Sequence, residues 1–167
     1  MSQRPYRGVF TIPATPFTDK NALDLDGVKA VVEFCIAAGA QGIVAPVNAS
    51  EFSALSDAER MQVVETIART NDGRLPYVAS ATGVSTEVAL LFARHAADQG
   101  ADALIAMPPY VKKAHPGDVR RYFESLGSAT DLPVFIQNHP IGVPMSPTLL
   151  GDLARDIPTV LYIKEEI

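Results

Sequence analysis

The chain alternates short apolar runs with longer amphipathic stretches, and this alternation recurs at a nearly constant spacing. Candidate strands begin near residues 9, 42, 76, 103, 133 and 159. A strand, a helical pattern of three to four turns and a short return therefore recur every 26 to 34 residues. A repeat of that size is typical of the βαβ unit, which builds parallel sheets with right-handed crossovers. The pattern predicts an α/β fold with six strands and five helices.

The predicted helices have recognisable starts. Asp24 can cap a helix that runs to Ala38, and Pro116 suits the first turn of the fourth helix, where its missing N–H costs nothing. The pair Ser56 and Glu59 has the spacing of a capping box, in which the serine hydroxyl and the glutamate carboxylate each accept a backbone N–H. Ser146, followed by a proline, can cap and start the fifth helix.

Two architectures fit six such units: a doubly wound sheet and a (β/α)8 TIM barrel. No G-x-G-x-x-G turn follows the first strand, which weakens the dinucleotide-binding form of the doubly wound sheet. A barrel of eight units needs about 200 to 250 residues, and residues 1–167 supply six strands and five helices. If the fold is a barrel, residues 1–167 are the N-terminal part of a single (β/α)8 barrel domain, ending just after strand 6. We therefore expect them to be the N-terminal two-thirds of a larger domain. On its own, such an open piece would expose sheet edges and fold poorly.

Composition limits the classes of function. The formal net charge is −5, from 14 basic and 19 acidic residues, and there is no basic cluster, so we expect no nucleic-acid partner. No apolar run approaches the length of a membrane span, and Met1–Arg7 lacks the apolar core of a signal peptide. We expect no membrane partner and a cytoplasmic location. The single cysteine, Cys35, is expected to be a buried small hydrophobe of the first helix.

The last strand carries the strongest chemical candidate. Thr159–Ile163 is a continuous apolar run that leads into Lys164, and it predicts a strand buried on both faces of a parallel sheet. Lysine at the carboxyl end of such a strand lies where α/β proteins place their chemistry. An amine among apolar side chains is partly desolvated, which favours its neutral, nucleophilic form, as Schiff-base formation with a ketone requires. The alternative is that Lys164 only marks the exit of the strand into solvent.

Several motifs, in order along the chain, resemble the dihydrodipicolinate synthase / N-acetylneuraminate lyase family. They are Thr15–Phe17, Glu51 with Leu55, Ser56, Glu59 and Arg60, Pro108 with Tyr110, Leu132 and Pro133 with Asn138 and Pro140, and Tyr162–Glu166. The resemblance implies a (β/α)8 barrel, usually tetrameric, that attaches a 2-oxo acid to Lys164 as an imine and then cleaves, condenses or dehydrates it. It implies a small-molecule 2-oxo acid partner, a homotetramer and no cofactor. No His, Cys or Asp cluster has metal-ligand spacing, so we expect no metal.

Two segments depart from the pattern of the family. The loop after the second strand usually reads Gly-Thr/Ser-Thr-Gly-Glu, whereas Val47, Asn48, Ala49, Ser50 and Glu51 stand here. The two hydroxyls that pass protons and hold the substrate carboxylate in relatives are therefore replaced. Asn48 can still donate a hydrogen bond, and the amides of Ala49 and Ser50 can cradle a carboxylate. By this resemblance Asn48, Ala49, Ser50, Glu51 and Asn138 are the expected substrate-binding residues.

The second departure is in the fifth strand. Gln137 stands where the family's Tyr-Asn-x-Pro motif has its proton-carrying tyrosine, and a glutamine amide can orient a substrate or a water but does not titrate near neutrality. Another group would then carry the proton: Tyr110, Glu51, His139 or the carboxylate of the substrate. Tyr110 matches a position that reaches into a neighbouring subunit's site in tetramers. Lys164, Gln137 and Tyr110 are the expected catalytic residues.

Three hypotheses of function follow. The first is a metal-free class I lyase, and the substitution at Gln137 favours a 2-keto-3-deoxy sugar-acid dehydratase similar to L-2-keto-3-deoxyarabonate dehydratase. The second is a pyruvate-dependent aldolase or dihydrodipicolinate synthase. The third belongs to another class: a non-catalytic barrel that binds 2-oxo acids or acts in assembly.

Overall fold

The computed structural model describes residues 6–112 and 114–167. The first five residues, on which part of the signal-peptide argument rests, lie outside it. The elements alternate as predicted: β1 Phe10–Thr11, α1 Leu25–Ala37, β2 Gly42–Ala45, α2 Asp57–Asn71, β3 Tyr77–Ser80, α3 Thr86–Asp98, β4 Ala103–Ala106, α4 Pro116–Ala129, β5 Val134–Asn138, α5 Pro147–Asp156 and β6 Val160–Glu165. The strands follow the order of the sequence within β1-β2-β3 and within β4-β5-β6.

The chain divides into two compact units. The first comprises the residues up to Ala79 together with Asp98–Asp102, and the second comprises Ser80–Ala97 and Ala103–Ile167. None of the helices in the described parts of the chain is both long enough and apolar enough to span a membrane.

In the first unit β1, β2 and β3 are parallel neighbours, with Phe10 opposite Gly42 and Ile43 opposite Tyr77. Helix α1 packs against α2 and buries Cys35, as expected from the sequence. The predicted caps are present, since the Asp24 side chain accepts the Gly27 N–H at 2.9 Å and the capping box at the start of α2 is complete. These local bonds supply partners for N–H groups that a helix start otherwise leaves unsatisfied.

In the second unit β4 is parallel to β5, and β5 is parallel to β6. The strands carry apolar side chains such as Leu104 and Ile136, and helix α4 carries Phe123 and Leu126; all four are fully buried. The register of β5 against β6 pairs Gln137 with Lys164, and this pairing positions the candidate chemistry.

The structure corrects two of the sequence predictions and adds detail to a third. Strand β6 is not buried on both faces: Leu161 and Ile163 are each 45% exposed, because the face that carries them is only partly covered. The first strand, predicted to begin near residue 9, has only two residues in β geometry, Phe10 and Thr11. The polar loop after β2 contains two 3-10 turns, Asn48–Ser50 and Phe52–Ala54, in which short i to i+3 hydrogen bonds supply partners for the backbone.

Candidate functional site

The carboxyl ends of β5 and β6 bring three polar side chains into direct contact. The Lys164 amine forms an ion pair with Oε1 of Glu166. The other carboxylate oxygen, Oε2, accepts a hydrogen bond from Gln137 Nε2 at 2.8 Å. We call Lys164, Glu166 and Gln137 the Lys–Glu–Gln cluster. One carboxylate thus bridges the predicted nucleophile and the residue predicted to stand in place of the family's tyrosine.

Burial within the cluster is uneven. Gln137 is 1% exposed, whereas the side chains of Lys164 and Glu166 are each 29% exposed. Partial burial raises the pKa of Glu166, but the hydrogen bonds from Lys164 and Gln137 and the charges of Lys164 and His139 outweigh it, so the pKa lies below its ordinary value. Glu166 is therefore a carboxylate at neutral pH, and it lies within reach of solvent.

Asn138 is buried in a different set of contacts. Its Nδ2 donates to both carboxylate oxygens of Glu165 at 3.0 Å and to the Met145 carbonyl at 3.4 Å, and its Oδ1 accepts the Met145 N–H at 3.0 Å. Its backbone carbonyl accepts the Glu166 N–H at 3.0 Å. The side chain thus ties the segment after β5 to the end of β6. A role in substrate binding stays a prediction, and in this structure the amide is already occupied by protein groups.

Two other candidates lie in loops at the same ends of the strands. Tyr110 is half-buried in the segment that follows β4, and its catalytic role stays a prediction. His139 follows β5, and its Nδ1 accepts the Ile141 N–H at 3.1 Å. In the neutral ring this bond leaves the proton on Nε2.

The loop Val47–Glu51 belongs to the first unit and has unsatisfied buried atoms. Asn48 Nδ2 and Ser50 Oγ are buried and have no hydrogen-bond partner, while Ala49 and Glu51 are exposed. The Thr15 hydroxyl donates to the Ser50 carbonyl at 2.7 Å and fixes the loop. Leaving a buried polar group unpaired costs about 1–3 kcal/mol, so both atoms favour a ligand or a water that can accept their hydrogen bonds.

The sequence prediction omitted Glu166 from the site. Side chains two residues apart on a strand point to the same face. Glu166 stands two residues after Lys164 and directly after the end of β6, so extending the strand alternation by one residue places it on the face of Lys164. This spacing is the sequence feature from which Glu166 could have been predicted as a site residue. The contact of Glu166 with Gln137 depends on the register of β5 against β6, which the sequence does not specify.

Comparisons with known proteins agree with the predicted family and fold. A profile of the dihydrodipicolinate synthetase family matches residues 5–167. A 4-hydroxy-tetrahydrodipicolinate synthase from Chelativorans sp. (strain BNC1) is 33% identical over 162 residues, which are 96% of this chain and 55% of that protein. An L-2-keto-3-deoxyarabonate dehydratase from Azospirillum brasilense is 32% identical over 165 residues, covering 96% of this chain and 53% of the relative.

Solved structures give the same result. The crystal structure of YagE, a prophage protein of the dihydrodipicolinic acid synthase family from E. coli K12 in complex with pyruvate, superposes with a TM-score of 0.93 at 28% identity. The match covers 98% of this chain and 56% of that one, so the chain spans about half the length of the relatives that it matches. The chain belongs to the dihydrodipicolinate synthetase family, and its six strands and five helices correspond to the first part of a (β/α)8 barrel.

Proposed function

We propose that the protein is a class I lyase in which Lys164 forms an imine with a 2-oxo acid. The observation that carries this proposal is the position of the Lys164 amine at the end of β6, in contact with the Glu166 carboxylate. An amine at the carboxyl end of a barrel strand is placed for chemistry, and a carboxylate in contact with it can accept the proton that it must lose before attack. The pyruvate complex of YagE supports the substrate class.

The reaction begins with attack of the neutral amine on the C2 ketone. Loss of water from the adduct gives a protonated imine, which acts as an electron sink for the neighbouring carbon. Loss of a proton at C3, or cleavage of the C3–C4 bond, then produces an enamine. The enamine can expel a hydroxyl group as water or take up an electrophile, so one intermediate serves a dehydratase, an aldolase and a condensing synthase.

The loop Val47–Glu51 is proposed to bind the carboxylate of this substrate. The proposal extends the family resemblance to Asn48, Ala49, Ser50 and Glu51, and the two unpaired buried atoms in the loop support it. Asn48 Nδ2 is a donor and Ser50 Oγ can donate. A carboxylate oxygen is an acceptor that would satisfy either atom.

Among the possible reactions we favour dehydration of a 2-keto-3-deoxy sugar acid. Gln137 cannot carry a proton as a phenol does, and a dehydratase stands among the relatives at 32% identity. Condensation of pyruvate with an aldehyde is the second candidate, because a 4-hydroxy-tetrahydrodipicolinate synthase is 33% identical. A cytoplasmic homotetramer, with Tyr110 directed towards a neighbouring subunit, remains part of the proposal.

Borohydride trapping tests the imine. The purified full-length protein is incubated with pyruvate and borohydride, and its intact mass is measured. We expect one reduced pyruvate adduct in the wild type and in Lys29→Ala, a variant of an exposed lysine at the surface of α1, and no adduct in Lys164→Ala. A folded wild type without an adduct would exclude the lyase and favour a non-catalytic barrel. Activity is then measured on 2-keto-3-deoxy sugar acids and, separately, on pyruvate with an aldehyde. The first assay reports dehydration and the second reports condensation.

A further inference from the structure

Glu166 is in contact with the reacting atom of the proposed mechanism, although the sequence did not mark it as a site residue. Its Oε1 lies against Lys164 Nζ, and its Oε2 accepts from Gln137 Nε2 at 2.8 Å. Proton transfer by a positioned side chain requires contact at hydrogen-bond distance, directly or through one water. Glu166 supplies a titratable group in direct contact with Lys164 Nζ.

We propose that Glu166 is the general base and general acid of this site and performs the proton transfers for which relatives use a tyrosine. This inference rests on the proposed function, because it assumes that Lys164 forms an imine. It assigns the proton chemistry to a carboxylate next to the nucleophile, with Gln137 as the positioning residue for that carboxylate.

The proton transfers balance with one carboxylate. Glu166 takes a proton from the Lys164 ammonium group, and the neutral amine adds to C2 of the 2-oxo acid. The carbinolamine hydroxyl leaves as water after receiving that proton, which leaves a protonated imine and an ionised Glu166. Glu166 then removes a proton from C3, and the electron pair of that C–H bond moves into the C2–C3 bond to form the enamine. In a dehydration, Glu166 returns this proton to the hydroxyl on C4, which leaves as water.

Gln137 has a role that fits its chemistry. Its amide does not titrate near neutrality, so it cannot compete with Glu166 for the proton. It is 1% exposed, and its Nε2 holds one carboxylate oxygen while the other oxygen faces Lys164 Nζ. A buried, fixed donor of this kind orients the carboxylate and favours its ionised form.

The neighbouring carboxylate is engaged elsewhere. Glu165 is the next residue along the chain, but both of its oxygens accept from Asn138 Nδ2 at 3.0 Å, and one of them accepts the Ile167 N–H at 3.1 Å. Successive side chains on a strand point to opposite faces. Glu165 therefore provides a matched control: it is a glutamate one residue after Lys164, next to Glu166 in the sequence, and it is held by different partners.

The test measures proton exchange at C3 of pyruvate on the imine. Purified full-length protein is mixed with pyruvate in D2O, and loss of the methyl proton signal is followed by NMR, while borohydride trapping gives the fraction of protein present as imine. Glu166 is 29% exposed, so its proton can exchange with solvent and return as deuterium. The quantity compared between variants is the exchange rate per trapped imine.

We expect Glu166→Gln to lower the exchange rate per imine by about 100-fold or more, within the range typical of general base catalysis. Glu165→Gln should keep the wild-type rate, since a glutamine oxygen can still accept from Asn138. Glu166→Asp retains a carboxylate on a shorter arm and should give an intermediate rate. Glu166→Asp also tests the proposal if Glu166→Gln folds poorly. A wild-type exchange rate in Glu166→Asp would contradict the requirement that the carboxylate lie at hydrogen-bond distance from Lys164 Nζ.

The two proposals fail in different ways. If the wild type forms no adduct, both the lyase and the role of Glu166 are wrong. If the wild type and Glu166→Gln form the adduct and exchange C3 protons equally fast per imine, only the role of Glu166 is wrong. Slow imine formation in Glu166→Gln that recovers at alkaline pH, where solvent base replaces the carboxylate, would support the first proton transfer.

Discussion

The amide of Gln137 acts on the site through the carboxylate that it contacts. A hydrogen bond to the ionised form of an acid lowers its pKa, and Gln137 supplies one of the two side-chain hydrogen bonds that lower the pKa of Glu166. At the scale of single residues, the chemistry of the cluster therefore depends on a side chain that never ionises. Gln137 can influence the pH at which the site works without exchanging a proton.

Replacement of Gln137 by leucine tests this dependence. Without the donor to Oε2, the pKa of Glu166 should rise, and the acidic limb of the pH profile for pyruvate C3 exchange should move to higher pH. The exchange rate is measured between pH 4 and 9, a range chosen to span the ordinary value of a carboxyl group. Gln41→Leu, a change in the first unit, should leave the profile in place. An acidic limb that stays fixed, or that moves to lower pH, would contradict the orienting role of Gln137.

The sequence was sufficient to predict that a lysine and a glutamine lie at the ends of strands in the site. Lys164 and Gln137 were expected at the ends of adjacent strands, and the structure pairs them in register. The network around them could not be predicted, because it depends on side-chain direction. Asn138 was expected to bind substrate, yet its amide is held by Glu165 and Met145.

At the scale of elements, the turn between β3 and α3 is constrained by a close backbone approach. A Cβ added to Gly83 would lie 2.4 Å from the Ala89 backbone nitrogen and 2.9 Å from the Ser85 carbonyl oxygen. Backbone atoms of a helix cannot move aside as a flexible side chain can. The position thus admits only glycine without a shift of the first turn of α3.

The variant Gly83→Ala should therefore destabilise the protein by about 1–3 kcal/mol, the usual cost of overpacking. Gly151→Ala is the matched control, because Gly151 lies exposed in α5 and nothing is within 4 Å of an added Cβ. There alanine should stabilise by about 0.5–1 kcal/mol through its higher helix propensity. Urea denaturation of both variants measures the difference, and equal effects of the two substitutions would show that the contact with Ala89 is unimportant.

Helices were easier to predict than the environment of the strands. Caps such as Asp24 and the Ser56–Glu59 box act within one turn, so their sequence pattern contains all that is needed. Burial of β6 depends on what covers its two faces, and an apolar run carries no information about the second layer. For this reason the exposure of Leu161 and Ile163 could not be predicted from the sequence.

At the scale of the whole molecule, the strand–helix repeat predicted a parallel sheet but not its closure. A doubly wound sheet and a barrel share the same local units, and only the resemblance of the motifs, confirmed by the family match, distinguished them. The spacing of apolar residues indicates which face of each helix or strand is buried. It does not indicate how many strand–helix units the complete sheet contains.

The ionisation of several carboxylates predicts how stability depends on pH. Hydrogen bonds lower the pKa of Glu33 beside Arg74, of Glu59 in its capping box and of Glu166 in the cluster, each from an ordinary value of 4.5. A carboxylate whose pKa is lower in the folded state contributes stability that is present above its unfolded pKa and is lost as the pH falls through its folded pKa. The free energy of unfolding should therefore decrease as the pH is lowered below 4.5.

Urea denaturation at a series of pH values between 7 and 3, spanning the titration of carboxyl groups, measures this dependence. Salt should weaken the contribution of Glu33, whose ion pair with Arg74 is exposed, because mobile ions screen such pairs. Glu166 is partly buried, so its share should persist at high salt. Glu166→Gln should consequently show a shallower loss of stability in acid than the wild type at the same salt concentration. A wild-type stability that stays constant or rises towards pH 3 would mean that these carboxylates are no more acidic in the folded protein than in the unfolded chain.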